Sequence, residues 1–139
     1  MDKLLPAAGQ AAPRTPQIVM GACWTAMGAA CVVFPEQVLR LSLSPKVLPE
    51  GKKEKDPSLQ LMTQCFGAQA VMCGILLCSS KLDSRGYAIW GLALLPFFWF
   101  DYSFWKRGTL TTFGAAGDLA GNLVFMACSA VGAGWVKID

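Results

Sequence analysis

Histidine is missing from the 139-residue chain. Its absence excludes His-ligated haem, His-ligated zinc or copper, the Ser-His-Asp triad and the commonest general base. The sequence also lacks a CxxC pair, the spacing on which many metal and redox sites are built. We therefore predict no metal site, no cofactor and no catalytic residue. Most redox and hydrolytic activities are excluded with them.

Charged residues are also scarce. They make up 15% of the sequence, against about 25% in ordinary soluble domains, whereas 54% is apolar. Four long apolar runs contain only two charged side chains, Asp101 and Asp118. About 20 apolar residues at 1.5 Å each cross a hydrocarbon layer of roughly 30 Å. The runs therefore predict membrane spans, and the basic residues at their ends are explained by lipid head groups without nucleic acid.

These runs predict an all-α integral membrane protein, a four-transmembrane-helix bundle that forms one membrane domain over residues 1–139. Four crossings place both termini on the same side of the membrane. The predicted spans are 17–34, 59–80, 86–105 and 112–136, and the longest connection is the loop 36–58. Within that loop, Leu39, Leu41 and Leu43 alternate with polar residues, which favours an extended or interfacial segment. The GKKEKD cluster at 51–56 predicts a solvated loop.

The basic residues give a preferred orientation. Seven lie on the side of the long loop and five on the side of the termini, so the positive-inside rule favours a cytoplasmic loop. The first fifteen residues carry Asp2 and two prolines, which disfavours an amphipathic targeting helix. An endomembrane or plasma-membrane location is therefore favoured over an organelle.

Small residues predict close packing between helices. The first span contains Ala22, Ala26 and Ala30 at helical spacing, and the fourth contains Gly117-x-x-x-Gly121. Small side chains let helix backbones approach closely, so we expect both spans to pack against other helices. All six cysteines lie within predicted spans, where they act as small apolar residues rather than as a disulfide framework.

Polar side chains inside the spans predict one cluster. Because spans three and four are joined by a short turn, Asp101 and Asp118 lie in the same half of the membrane. Insertion of a carboxylate costs about 2.5 to 3.5 kcal/mol, so such a group usually faces the protein interior. The cluster binds a ligand or proton, or it holds the helices together. Its predicted members are Asp101, Asp118, Asn122, Gln60 and Gln64.

Aromatic residues surround the first of these acids. In FFWFDYSFW, residues 97–105, seven of nine side chains are aromatic. The side chains three or four positions from Asp101 are Phe97, Phe98, Phe104 and Trp105. They form either the walls of an apolar pocket with one acid or an interfacial aromatic belt.

Two functions fit these features. The first is a non-enzymatic accessory or structural subunit, or an assembly factor, that packs against another membrane protein or a second copy of itself. The alternative is binding or transport of a small lipid-like or weakly basic ligand in a pocket around Asp101 and Asp118. An enzyme that uses both acids, such as an isomerase of an apolar substrate, ranks third because nothing in their spacing requires it.

Overall fold

A computed structural model describes residues 4–47 and 55–136, and within these ranges the chain forms five helices and no β-strand. The helices are α1 (Thr15–Val33), α2 (Pro35–Ser42), α3 (Pro57–Ser79), α4 (Ser84–Lys106) and α5 (Thr112–Gly132). The predicted all-helical class is confirmed. Three of the helices, α1, α3 and α5, are long and apolar enough to cross a membrane. The aromatic-rich α4 has the length but falls outside that group.

Capping and turn residues explain why two helices begin or end at residues other than the apolar runs predicted. The helix α3 begins at Pro57, two residues early, because the Asp56 carboxylate accepts the N–H groups of Ser58 at 2.8 Å and Leu59 at 3.2 Å. The helix α5 ends at Gly132, four residues before the predicted limit. There the chain turns at Gly134, whose φ of 75° suits a residue without a side chain.

The segment after α1 was predicted to be extended or interfacial. It is helical over residues 35–42, so the extended alternative is wrong there. Proline at the first position of α2 favours a helix start, and Leu39 is buried while Leu41 is 45% exposed. The chain becomes extended only at Leu43, which pairs with Leu110. Residues 51–54 of the predicted solvated loop lie outside the described residues.

Glycines bring α1 and α3 into close antiparallel contact. A Cβ atom at Gly28 would lie 2.5 Å from the carbonyl oxygen of Gly67. One at Gly21 would lie 2.8 Å from the carbonyl oxygen of Gly74. The two backbones therefore touch at two levels that are seven residues apart on each helix.

The first span does pack closely, but not through the alanines that its spacing suggested. Ala22 and Ala26 are exposed and Ala30 is half-buried. The contact uses Gly21 and Gly28, which are both buried. Glycine permits a closer approach than alanine because it has no Cβ atom.

The long helices lie side by side in the order α3, α1, α5, α4. Among the described helices, no Cα atom of α3 comes within 8 Å of one in α4 or α5, and none of α1 comes within 8 Å of α4. Long side chains close the gap at one end, where Met20, Leu77 and Tyr87 form a buried core. We call this the Gln17 end. The other end, which holds α2 and the start of α5, we call the Asp101 end.

A buried glutamine fixes the Gln17 end. The side chain of Gln17 is 1% exposed, and its Nε2 donates to the carbonyl oxygens of Leu77 and Ser80, the latter at 2.8 Å. Its Oε1 accepts the N–H of Leu82 at 3.0 Å. One side chain from α1 therefore satisfies several backbone groups at the end of α3 and in the following turn.

An acidic cap joins the N-terminal segment to this end. The Asp83 carboxylate accepts the N–H of Gly9 at 2.6 Å and that of Gly86 at 2.7 Å. These two bonds, the first above all, lower the pKa of the Asp83 carboxyl because they stabilise its charged form. Nearby, the indole N–H of Trp135 donates to the carbonyl oxygen of Leu4 at 3.2 Å.

Candidate functional site

A cavity opens where the helices separate, toward the Asp101 end. Its volume is about 570 Å³, and side chains of α1, α3, α4 and α5 line it. Its polar lining consists of Asp101, Asp118 and Asn122, apart from the thiol of Cys23. Its aromatic walls are Trp24, Phe66, Phe97 and Phe125. The cavity is thus a mainly apolar space with two acids and one amide.

An amide links the first acid to the neighbouring helix. The Asn122 Nδ2 atom of α5 donates to Asp101 Oδ2 of α4 at 2.8 Å. The Asp101 side chain is half-buried. The structure therefore gives Asp101 an amide partner, and this bond ties α4 to α5.

The second acid has no such partner. Asp118 lies one helical turn before Asn122 and lines the same cavity, but within the described part of the chain its carboxylate accepts no hydrogen bond. The nearby Asp101 repels its negative charge. Among the described residues, no lysine or arginine lines the cavity. Asp118 is therefore a carboxylate that faces the cavity without a counter-charge.

The nearest basic residues of the sequence lie on aromatic rings instead. Lys106 Nζ is 5.7 Å from the ring centre of Tyr102, and Arg107 Cζ is 5.9 Å from that of Phe104. Among the described residues neither forms an ion pair with Asp101. The two cations therefore leave the charge of the acids unneutralised.

The predicted pocket aromatics divide between two cavities. Phe97 lines the larger cavity with Asp101. Phe98 and Trp105 line a smaller one of about 290 Å³ between α4 and α5, which Asp101 also reaches. Phe104 lines neither of these two cavities and stacks on Phe100, with ring centres 6.1 Å apart.

The structure does not bring the two predicted glutamines to the acids. Gln60 Nε2 donates to Glu36 Oε1 at 3.1 Å, and Gln64 Nε2 donates to the carbonyl oxygen of Val32 at 3.3 Å. Both lie on α3, which is separated from α4 and α5 by α1. They enter the molecule from the Asp101 end, as expected, but on the far side of α1.

The glycine pair of α5 does not pack against another described helix. A Cβ atom at Gly117 or Gly121 would meet nothing within 4 Å. Both glycines line the large cavity. The predicted packing face of α5 is thus an open surface beside Asp118.

Trp24 and Phe125 are among the cavity residues that no spacing in the sequence indicated. Trp24 of α1 stacks on Phe125 of α5, with ring centres 5.7 Å apart and planes within 5°. The buried Trp24 Nε1 has no acceptor among the described residues. Their stacking joins α1 to α5 and forms one wall of the cavity.

The chemistry of the lining groups limits what the cavity can hold. Within residues 4–47 and 55–136, no three His, Cys, Asp or Glu side chains are grouped to hold a metal ion. Two carboxylates, an amide and aromatic faces can hold a cationic or hydrogen-bond-donating group. Comparison with protein-family models, curated proteins and solved structures finds no match.

Proposed function

We propose that the chain crosses the membrane four times, with α4 as the additional span and both chain ends on the same side. The 23 residues of α4 extend about 34 Å at 1.5 Å per residue, enough to cross the hydrocarbon layer. Its exposed surface includes Leu95, Trp99 and Phe100, which suit lipid. The contact between Leu4 and Trp135 supports a common side for the ends of the chain. In a variant without its six cysteines, single cysteines at Lys81 and Arg107, which flank α4, are labelled with a membrane-impermeant maleimide. The two sites are expected on opposite sides of the membrane, and labelling of both from one side contradicts the fourth crossing.

We propose further that the protein is a non-enzymatic membrane protein that binds a small amphiphile with a weakly basic head group in the large cavity. The observation that carries this proposal is Asp118, a carboxylate that lines an apolar cavity and has no hydrogen-bond partner in the described chain. An acid with a purely structural role would bond to a neighbouring helix, as Asp101 does through Asn122. Asp118 instead leaves its oxygens available.

The chemistry of the walls indicates an amine as the head group. A protonated amine placed near Asp118 and Asp101 neutralises charge and donates hydrogen bonds to carboxylate oxygens. The faces of Trp24 and Phe97 can stabilise the cation further. A volume of about 570 Å³ lies within the range of roughly 300 to 1,000 Å³ that is usual for small-molecule sites.

Retention of dodecylamine tests the proposal. Protein in nanodiscs is exposed to dodecylamine or to its uncharged analogue dodecanol, and the bound molecules are counted by native mass spectrometry. Because a charge-assisted hydrogen bond contributes about 1.5 to 3 kcal/mol, Asp118→Asn is expected to retain about tenfold less dodecylamine than the unaltered protein. The matched control is Glu36→Gln, an acid-to-amide change outside the cavity. Equal retention of the amine by both variants, or equal binding of dodecanol and dodecylamine, contradicts the proposal.

A second candidate function is favoured by one specific observation. The open Gly117 and Gly121 surface offers the small-residue face to which a helix of another membrane protein can pack closely. The chain is then an accessory subunit or assembly factor, or it packs against a second copy of itself. Crosslinking in native membranes distinguishes the two functions. Loss of a crosslinked partner in Gly117→Leu, with the partner retained in Asp118→Asn, supports the subunit; a partner unaffected by Gly117→Leu argues against it.

A further inference from the structure

A different cavity lies at the Gln17 end, on the opposite end of the helices from Asp118. It has a volume of about 350 Å³ and is bounded by residues 9–12, the start of α1 and the turn at 81–83. Two basic side chains line it, Arg14 and Lys81, and both are exposed. No such pair of cations lines the large cavity. The two ends of the molecule therefore differ in the charge that they offer to a ligand.

Among the described residues, one acid lines this cavity, and it is already hydrogen-bonded. Asp83 accepts the N–H groups of Gly9 and Gly86 through its two carboxylate oxygens. The side chain of Gln17 is likewise committed to backbone groups at the end of α3. The cavity is thus lined by two cationic side chains and by one carboxylate, whose oxygens are already hydrogen-bonded to backbone N–H groups.

The cations are placed to act together. Arg14 Nη2 donates to the carbonyl oxygen of Cys78 at 3.3 Å. This bond holds the guanidinium at the end of α3, close to the turn that carries Lys81, and leaves its other N–H groups available. Lys81 forms no hydrogen bond or ion pair with another described residue.

We propose that this cavity binds a phosphate oxyanion, the phosphate of an anionic phospholipid head group. Guanidinium and ammonium groups bind phosphate oxygens through short charge-assisted hydrogen bonds. Residues 9–14 and 81–83 adjoin the ends of α1 and α3, which are candidate membrane spans. Phospholipid phosphates occupy that level of a bilayer, and basic pockets between membrane helices are suited to such head groups. The site is independent of the amphiphile proposed for the large cavity.

Selective retention of anionic lipid tests this site. The protein is placed in nanodiscs that contain phosphatidylglycerol and phosphatidylcholine with identical acyl chains, and the ratio of the two lipids that remain bound is measured by native mass spectrometry. The unaltered protein is expected to retain phosphatidylglycerol preferentially. Lys81→Gln is expected to lower the ratio about fivefold, the equivalent of about 1 kcal/mol for one cation at a membrane surface. The matched control, Lys106→Gln, removes a cation at the opposite end and leaves the ratio unchanged.

Arg14→Gln removes the bond to Cys78 as well as a charge, so Lys81→Gln is the decisive variant. A second arm exposes detergent-solubilised protein to inorganic phosphate. Retention of phosphate that Lys81→Gln abolishes, without selection of phosphatidylglycerol, supports the oxyanion site but identifies a free phosphate as its source. Two results overturn the proposal. One is that neither probe is retained selectively, and the other is that Lys81→Gln and Lys106→Gln lower retention equally.

Discussion

One added methyl group at Gly28 is expected to destabilise the protein. The Cβ atom of Gly28→Ala would lie 2.5 Å from the carbonyl oxygen of Gly67, 2.7 Å from the backbone nitrogen of Val71 and 2.9 Å from the Cβ atom of Ala70. Two of these three atoms belong to the backbone of α3, so rotation of a side chain cannot relieve the contact.

The geometry sets the size of the effect. Carbon atoms in favourable contact lie about 3.5 to 4.0 Å apart, so α1 and α3 must separate by about 1 Å at this level. Overpacking of this kind typically costs about 1 to 3 kcal/mol. Gly28→Ala is expected to lower the free energy of unfolding rather than ligand binding, because Gly28 lines neither cavity proposed to bind a ligand.

The matched control is Gly121→Ala. It adds the same methyl group to another long helix, at a position where a Cβ atom meets nothing within 4 Å. Unfolding in mixed micelles by titration with SDS, followed by circular dichroism, gives the free energy of both variants. Gly121→Ala is expected to leave it unchanged or to raise it by up to about 1 kcal/mol, because alanine is the better helix former. Equal stability of Gly28→Ala and the unaltered protein, or a lower stability of Gly121→Ala than of Gly28→Ala, contradicts this packing.

Three further predictions use the same unfolding titration. Gln17→Leu leaves buried backbone groups at the end of α3 unsatisfied, so it is expected to lower the unfolding free energy by about 2 kcal/mol or more; Gln64→Leu, on an exposed side chain, is expected to cost less than half as much. Asn122→Leu removes the donor to Asp101, and a loss of about 0.6 to 1.7 kcal/mol is expected. The lowered pKa of Asp83 adds stability that is present above about pH 3.9 and is lost as the pH falls through the lower folded-state pKa. Asp83→Asn is expected to remove that acid-dependent part, and an unchanged pH profile contradicts this assignment.

The helices could be predicted because length and apolarity are properties of the sequence itself. The runs around α1, α3 and α5 are free of charge apart from Asp118, and all three are helical over nearly the predicted range. The short helix α2 was missed because eight residues give too little periodicity to separate a helix from a strand. The proline at its first position was the available signal.

Which faces of the helices meet could not be predicted from small residues alone. The pair Gly117 and Gly121 matches a known packing pattern, yet both glycines are open in the structure. The contact between α1 and α3 uses glycines spaced by seven residues on each helix, such as Gly21 and Gly28. Both spacings keep small residues on one helix face. Which of them faces a neighbour depends on the order in which the helices pack.

The same limit applies to the polar cluster. The order of helices and turns along the sequence determines how far along the helices a side chain lies. It placed Asp101 and Asn122 at a common level, where they hydrogen-bond. It does not fix which helices are adjacent. Because α1 lies between α3 and the other two helices, Gln60 and Gln64 bond to Glu36 and Val32 instead.

The two acids therefore differ in what they require from outside the chain. Asn122 donates a hydrogen bond to Asp101, and this link between α4 and α5 explains why a carboxylate is present in an apolar helix. Asp118 gains no bond within the described residues and is repelled by Asp101. An intramembrane carboxylate costs about 2.5 to 3.5 kcal/mol to insert, and packing within this chain does not offset that cost at Asp118. A cation bound in the cavity can offset it, and the first proposed function supplies one.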